Sequence, residues 1–194
     1  ILQAMSGLPK SILSFVTVAL LISRGQGRQD HMCESSARSN VQVWYLITLF
    51  VLSFDQITKT IIVTTFFYGE SQAISSFFNV VRVHNPGAAF SFLSDAGGWQ
   101  RWALSALAIL VSVMIIIWIS RLKREKWLEG LSLSMILGGA LGNLWDRLTF
   151  GYVVDFLDFH WMGWHFPAFN LADSAISLGA VILILDSLLT SRSE

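Results

Sequence analysis

Apolar residues fall along the chain in four long runs separated by polar stretches, with a shorter run near the amino terminus. The long runs cover about Val41 to Phe66, Trp102 to Ser120, Trp127 to Leu148 and Leu171 to Thr190. Each approaches the roughly 20 residues an α-helix needs to cross the hydrocarbon core of a bilayer. Trp44, Tyr45, Trp102, Trp118 and Trp127 stand near the ends of these runs, where aromatic rings settle at membrane interfaces. The pattern predicts an all-α membrane protein of four transmembrane helices.

The polar connections give the orientation. Between the second and third runs stand Arg121, Lys123, Arg124 and Lys126, whereas the other two connections hold only Arg82 and the boundary residue Arg101. Short cytoplasmic loops carry the excess of lysine and arginine, so both chain termini are predicted on the side of Arg121–Lys126. The loops Phe67–Arg101 and Thr149–Asn170 then face the other side. Within the first, Ile74 to Phe92 is rich in Phe and Val around the turn signal Asn85-Pro86-Gly87, which predicts a small extended or hairpin element against the membrane surface. Phe159 to Phe169 is an aromatic cluster and reads as a loop segment lying in the interface.

The first 40 residues follow a different pattern. Ser11 to Ile22 is apolar but too short for a comfortable span, and with Lys10 before it looks like the h-region of a signal peptide. A polar, arginine-containing stretch follows to Met32. Either this segment is native, or Met32 is the natural start and Ile1 to His31 is extraneous. Cys33 follows Asp30, His31 and Met32, which lack the small and leucine-like residues of a lipidation signal.

Composition narrows the class. The 194 residues carry no formal net charge, 13% are charged, about half the usual globular share, and the mean hydropathy is +0.59. No basic stripe with interleaved aromatics is present, which argues against a nucleic-acid partner. The single cysteine excludes an internal disulfide and a cysteine-based zinc site. His160 and His165 lack the HExxH spacing of a metal helix, so neither a metal nor a cofactor is expected.

Ionisable residues inside a span are costly unless paired or facing a wet cavity. Here they cluster. Asp55 and Lys59 lie four apart in the first span; Asn143, Asp146 and Arg147 follow Gly138–Leu141 in the third; Asn170 and Asp173 open the fourth; Asp155 follows the third. All fall toward the same end of their helices, so one polar pocket would gather them. Each also has a plainer reading. Asp55 with Lys59 stabilises a helix as an i,i+4 pair. Asp146 with Arg147 ends a helix at the interface. Asn170 with Asp173 is a capping box. The glycines serve close helix packing. Asp155 alone is a loop carboxylate, and Asp158 is another with no assigned role. Two neighbouring carboxylates without metal ligands suit acid–base work on a water molecule, because like charges a few ångströms apart share a proton. No GxSxG elbow or Walker A loop competes. An ion pathway is the rival reading, weakened by the lack of inverted repeats, and no GxGD motif of other intramembrane aspartyl proteases occurs.

Four stretches together resemble the lipoprotein signal peptidase (signal peptidase II) family: Asp55–Lys59 (DQITK), His84–Ser91 (HNPGAAFS), Gly138–Leu148 (GGALGNLWDRL), and Val153–Phe156 with Phe169–Ser174 (VVDF, FNLADS). The resemblance implies an aspartyl endopeptidase that removes signal peptides from bacterial prolipoproteins, cutting before the diacylglyceryl-modified cysteine. Asp155 and Asp173 match the family's catalytic pair. Asp55, Lys59, Asn85, Gly87, Asn143, Arg147 and Asn170 match its supporting and substrate-binding residues. It further implies a small periplasmic β-cradle, a site at the periplasmic face of the bacterial inner membrane, contact with membrane lipids, and inhibition by globomycin. On this reading residues 41–194 form the peptidase domain and residues 1–40 an extension outside the catalytic unit. Pro86 departs from the threonine common at that place, which puts any contact from that backbone amide in question.

Overall fold

The computed structural model describes residues 41–87 and 98–190; the readings of the amino-terminal extension, of Cys33 and of Ala88–Phe92 lie outside them. Helix α1 spans Val41–Thr65, α2 Trp99–Ser120, α3 Trp127–Thr149 and α4 Leu171–Thr190. At about 1.5 Å per residue the 22 residues of α2 reach roughly 33 Å. Three helices, α1, α2 and α4, are long and apolar enough to cross a membrane by length and composition. The fourth, α3, falls short because glycines, serines and charged residues dilute its leucines.

That dilution follows from where α3 sits. It packs against both α2 and α4, and Gly130, Ser132, Leu133, Ser134, Leu137, Gly138, Gly139, Ala140 and Gly142 along it are buried. Ser132 and Ser134 donate back to the carbonyls of Leu128 and Gly130, so neither hydroxyl is left unmade in the interior. Thr48 of α1 donates to the Ser134 carbonyl across the helix interface. Small residues let backbones approach where lipid supplies no hydrophobic drive between helices. Trp44, Ile115, Ile119, Leu133 and Leu137 fill the core of the bundle. Phe50, Leu110, Ile184 and Leu188, by contrast, turn outward and are exposed. Apolar exteriors around a polar seam are the inverse of a water-soluble bundle and suit a lipid solvent.

The connections differ from the sequence reading. They build one antiparallel sheet in the order β1 (Ser71–Ala73), β2 (Phe78–Asn85), β3 (Val153–Trp161) and β4 (Trp164–His165). The second connection is therefore not a loop: Asp155 is the third residue of β3, and Trp161 to Trp164 form a hairpin. Met162 and Gly163 have φ of 50° and 81°, both in the left-handed region, as a two-residue turn of the primed type requires. Asn85 pairs with Val153 and Val83 with Asp155, with a bulge in β2 between Val80 and Val83. A second core of Ile62, Val154 and Phe156 seals the sheet onto α1.

Candidate active site

The polar residues gather where the second half of α1, the end of α3 and the start of α4 meet β2 and β3. Asp55, Lys59, Asn85, Asn143, Asp146, Asp155 and Asn170 are all buried, with Asp55 and Asn170 at 0% exposure. The structure brings the nine residues singled out beforehand together in one hydrogen-bonded network.

Lys59 lies at its base. Its ammonium has three hydrogens and three acceptors: Asp55 Oδ2 at 2.8 Å, Asp146 Oδ2 at 3.0 Å and Asn143 Oδ1 at 3.0 Å. The i,i+4 pair Asp55–Lys59 is thus more than a helix staple. Asp55 also accepts the Ala172 N–H at the start of α4, at 2.9 Å. Asp146 does not cap a helix at the interface; it is 1% exposed and accepts the Val154 N–H of β3 at 3.2 Å. Gln56 Nε2 links the two carboxylates, 3.2 Å from Asp55 Oδ2 and 3.0 Å from Asp146 Oδ1. Sequence reasoning placed Asp146 in the polar cluster without matching it to a site role, and did not single out Gln56. The signal was present, since both are polar residues inside predicted spans and both lie in the quoted motifs.

Asparagines carry the network upward, and each has its amide oriented by a neighbour. Lys59 can only donate, so Asn143 turns its oxygen to Lys59 and its NH₂ to Asp173 Oδ1, 2.8 Å away. Asn170 accepts the Asp173 N–H on Oδ1 at 2.9 Å, leaving its NH₂ for Asp155 Oδ1 at 2.6 Å. Asn85 accepts the Gly87 N–H at 3.0 Å and gives its NH₂ to Asp155 Oδ2, also at 3.0 Å. Arg147 donates to the carbonyls of Gly87 and Asn143, at 3.1 and 3.4 Å. The Asn85–Gly87 turn uses the Gly87 amide, so the missing donor at Pro86 removes no contact from this bond. The capping box at α4 is also present, with Asp173 Oδ2 3.4 Å from the Asn170 N–H. Cap and site are the same residues.

The two aspartates are unequal. Asp155 is 2% exposed; burial, and then the charge of Asp173, push its carboxyl up to about 7. Asp173 is only partly buried and lines a cavity of about 340 Å³, with Asn85, Ser174, Ser177, Phe166 and Phe169 among its walls. Asp155 is not among the residues lining it. No cluster of three or more metal-ligating side chains occurs among the described residues.

Helices with apolar exteriors around a largely buried polar network are the architecture of a membrane-embedded enzyme. The family model described as Signal peptidase (SPase) II matches residues 47–189, and the chain belongs to that family of proteases. It is 58% identical over 145 residues to a lipoprotein signal peptidase of Burkholderia vietnamiensis, covering 75% of this chain and 87% of the relative. Against a lipoprotein signal peptidase of Burkholderia ambifaria it is 57% identical over 151 residues, 78% and 90% of the two chains. Among solved structures it is similar to a bacterial membrane enzyme determined in meso at 2.3 Å, with TM-score 0.71 and 32% identity over 79% of this chain and 92% of that one. A second such structure, at 1.9 Å, gives TM-score 0.66 and 33% identity, covering 76% and 93%.

Proposed function

We propose that the chain cuts the signal peptide from bacterial prolipoproteins just before the diacylglyceryl-modified cysteine, with Asp155 and Asp173 as its catalytic pair. The observation that carries the assignment is their asymmetry: one carboxyl buried and raised to about 7, the other open to a cavity. Asp173 accepts a proton from a water in that cavity, and the water's oxygen bonds to the scissile carbonyl carbon. Asp155 donates its proton toward the carbonyl oxygen as that oxygen gains charge. Collapse of the tetrahedral centre breaks the carbon–nitrogen bond: one of its hydroxyls returns a proton to Asp155 as the C=O re-forms, and the proton held on Asp173 passes to the leaving amine of the cysteine. Asn85, Asn143 and Asn170 hold the carboxylates in place, and Arg147 fixes the Asn85–Gly87 turn. The test is cleavage of a lipidated precursor by purified protein. Asp155→Asn and Asp173→Asn are each expected to abolish it in folded protein, and the double variant to be hardly worse than either; normal cleavage by either single variant would overturn the assignment.

In this reading all four helices span the bacterial inner membrane, with α3 shielded from lipid by its neighbours. The site lies at the periplasmic face and both termini in the cytoplasm. Acyl chains of the substrate cysteine then lie in the bilayer beside α4, each buried CH₂ contributing about 0.8 kcal/mol. Globomycin is expected in the same cavity. Cysteine labelling at Glu125 and at the exposed Met162 should report opposite sides of the membrane. Residues 41–194 are taken as the peptidase unit, so deletion of residues 1–31 should leave cleavage nearly intact.

A further inference from the structure

The two buried carboxylates under the dyad share a feature that their burial alone does not require. Asp146 accepts the N–H of Val154, the residue immediately before Asp155. Asp55 accepts the N–H of Ala172, the residue immediately before Asp173. Lys59 bridges the two carboxylates, 2.8 Å from one and 3.0 Å from the other, and Gln56 bridges them again. A strand from one part of the chain and a helix start from another are thereby tied, one residue upstream of each dyad member, to one lysine.

We infer that Asp55, Lys59 and Asp146 form an internal clamp that sets the separation of Asp155 and Asp173, and are positioning residues for the reaction rather than merely stabilisers of the bundle. The inference rests on the dyad assignment. A capping or packing role would need only that each charge be paired. The clamp goes further, because each carboxylate spends its remaining hydrogen-bonding capacity on the one backbone amide whose movement carries a dyad carboxyl with it. Burial makes these bonds rigid: Asp55, Lys59 and Asp146 are 0%, 3% and 1% exposed, so water does not compete for them. Gly142 leaves the room that Asp55 Oδ2 occupies, since a Cβ at that position would lie 2.5 Å from it.

The pair's proton sharing depends on distance, so loosening the clamp changes a quantity that general destabilisation leaves alone. In Asp146→Ala, Val154 loses its acceptor and β3 is freed beside Asp155. The expected result with a lipidated precursor is a kcat lower by about 10- to 100-fold, since misplacement by an ångström is enough for that, with KM within about threefold. The alkaline limb of the pH–rate profile should move to lower pH, because Asp155 is then less strongly repelled by Asp173. Asp146→Asn keeps an oxygen for the Val154 N–H and should restore most of the rate and the wild-type limb. Where the alanine variant fails to accumulate in the membrane, Asp146→Leu fills the space without an acceptor and carries the same expectation. Leu133→Ala, a cavity in the distant helix core, is the comparison: lower thermal stability with unchanged limb. The clamp is overturned if Asp146→Ala and Asp146→Asn lose rate equally, or if the limb stays fixed and activity tracks the folded fraction. Failure of the dyad itself is separate and would appear as activity in Asp155→Asn or Asp173→Asn.

Discussion

Lys59 Nζ stands 3.0 Å from Asn143 Oδ1, and that contact decides which end of the Asn143 amide meets Asp173. An ammonium cannot accept a hydrogen bond, so the amide has one orientation. Asn143→Asp keeps the oxygen that Lys59 needs and replaces the NH₂ with a second oxygen, facing Asp173. A donor becomes a like charge. The expected loss in kcat is about 100-fold or more, the usual cost of removing one preorganised donor. Purified variant and wild type assayed on the same lipidated precursor check it; near-normal turnover would mean that the Asp173 carboxyl is held by something else.

The raised carboxyl of Asp155 makes both rate and stability depend on pH. Its ordinary value is 3.8 and its folded value about 7, so between these the unfolded chain binds fewer protons than the folded one. Stability from this group therefore falls as pH rises from 4 to above 7, by on the order of 4 kcal/mol at most. Asp155→Asn should remove that slope from a series of thermal unfolding curves in detergent. The wild-type rate should decline above about pH 7, as the proton on Asp155 is lost. A rate still rising at pH 9 would contradict the asymmetry.

Asp158 deserves a different expectation from the silent loop carboxylate that its sequence context suggests. It is 8% exposed, accepts from Asn79 across the β2–β3 pair at 2.8 Å, and meets His165 Nδ1 at 2.9 Å. Burial opposes its charge, but the bonds from Asn79 and His165 outweigh this and hold its carboxyl below the ordinary value. Its contribution is thus complete above the ordinary carboxylate range and fades as the solution turns more acidic. Asp158→Asn can satisfy only one of the two donors and should cost about 1 kcal/mol. Cleavage should stay within about threefold of wild type, because none of these bonds reaches the dyad.

Gly142→Ala tests the space around Asp55. A Cβ at that position would lie 2.5 Å from Asp55 Oδ2, an atom already held by Lys59. The carboxylate cannot retreat without dropping the lysine or the Ala172 amide. Overpacking of this kind costs about 1–3 kcal/mol, and activity should fall further than the loss of folded protein explains. Tm and specific activity measured together separate the two effects.

The helices were readable because lipid imposes one simple demand, a run of apolar residues of fixed length. Trp127 and Leu171 begin α3 and α4 where the pattern placed them, and Asn170 caps as its spacing foretold. The start of α2 at Trp99 came three residues earlier than the apolar run, since Trp99 to Arg101 add polarity without ending the helix. Strand β3 escaped notice for a different reason. Val153 to Trp161 pairs with residues about 70 positions earlier, and its hairpin turns on Met162-Gly163, which lacks the usual Asn or Asp. Gln56 and Asp146 were legible as polar residues in apolar surroundings, but their partners lie on other elements and no spacing rule names them. Nor does spacing reveal which way three asparagine amides point; that is fixed only when Lys59, Gly87 and Asp173 supply donors around them.

Because Asn170 and Asp173 belong to the opening turn of the last helix, the order of synthesis matters. A ribosome delivers α1, α3 and β3 first, and with them Lys59, Asp55, Asn143 and Asp155, but no partner carboxylate. Until α4 docks, the Ala172 amide is absent from Asp55 and the Asn170 amide from Asp155. On the proposed assignment, a nascent chain is therefore inert until α4 docks.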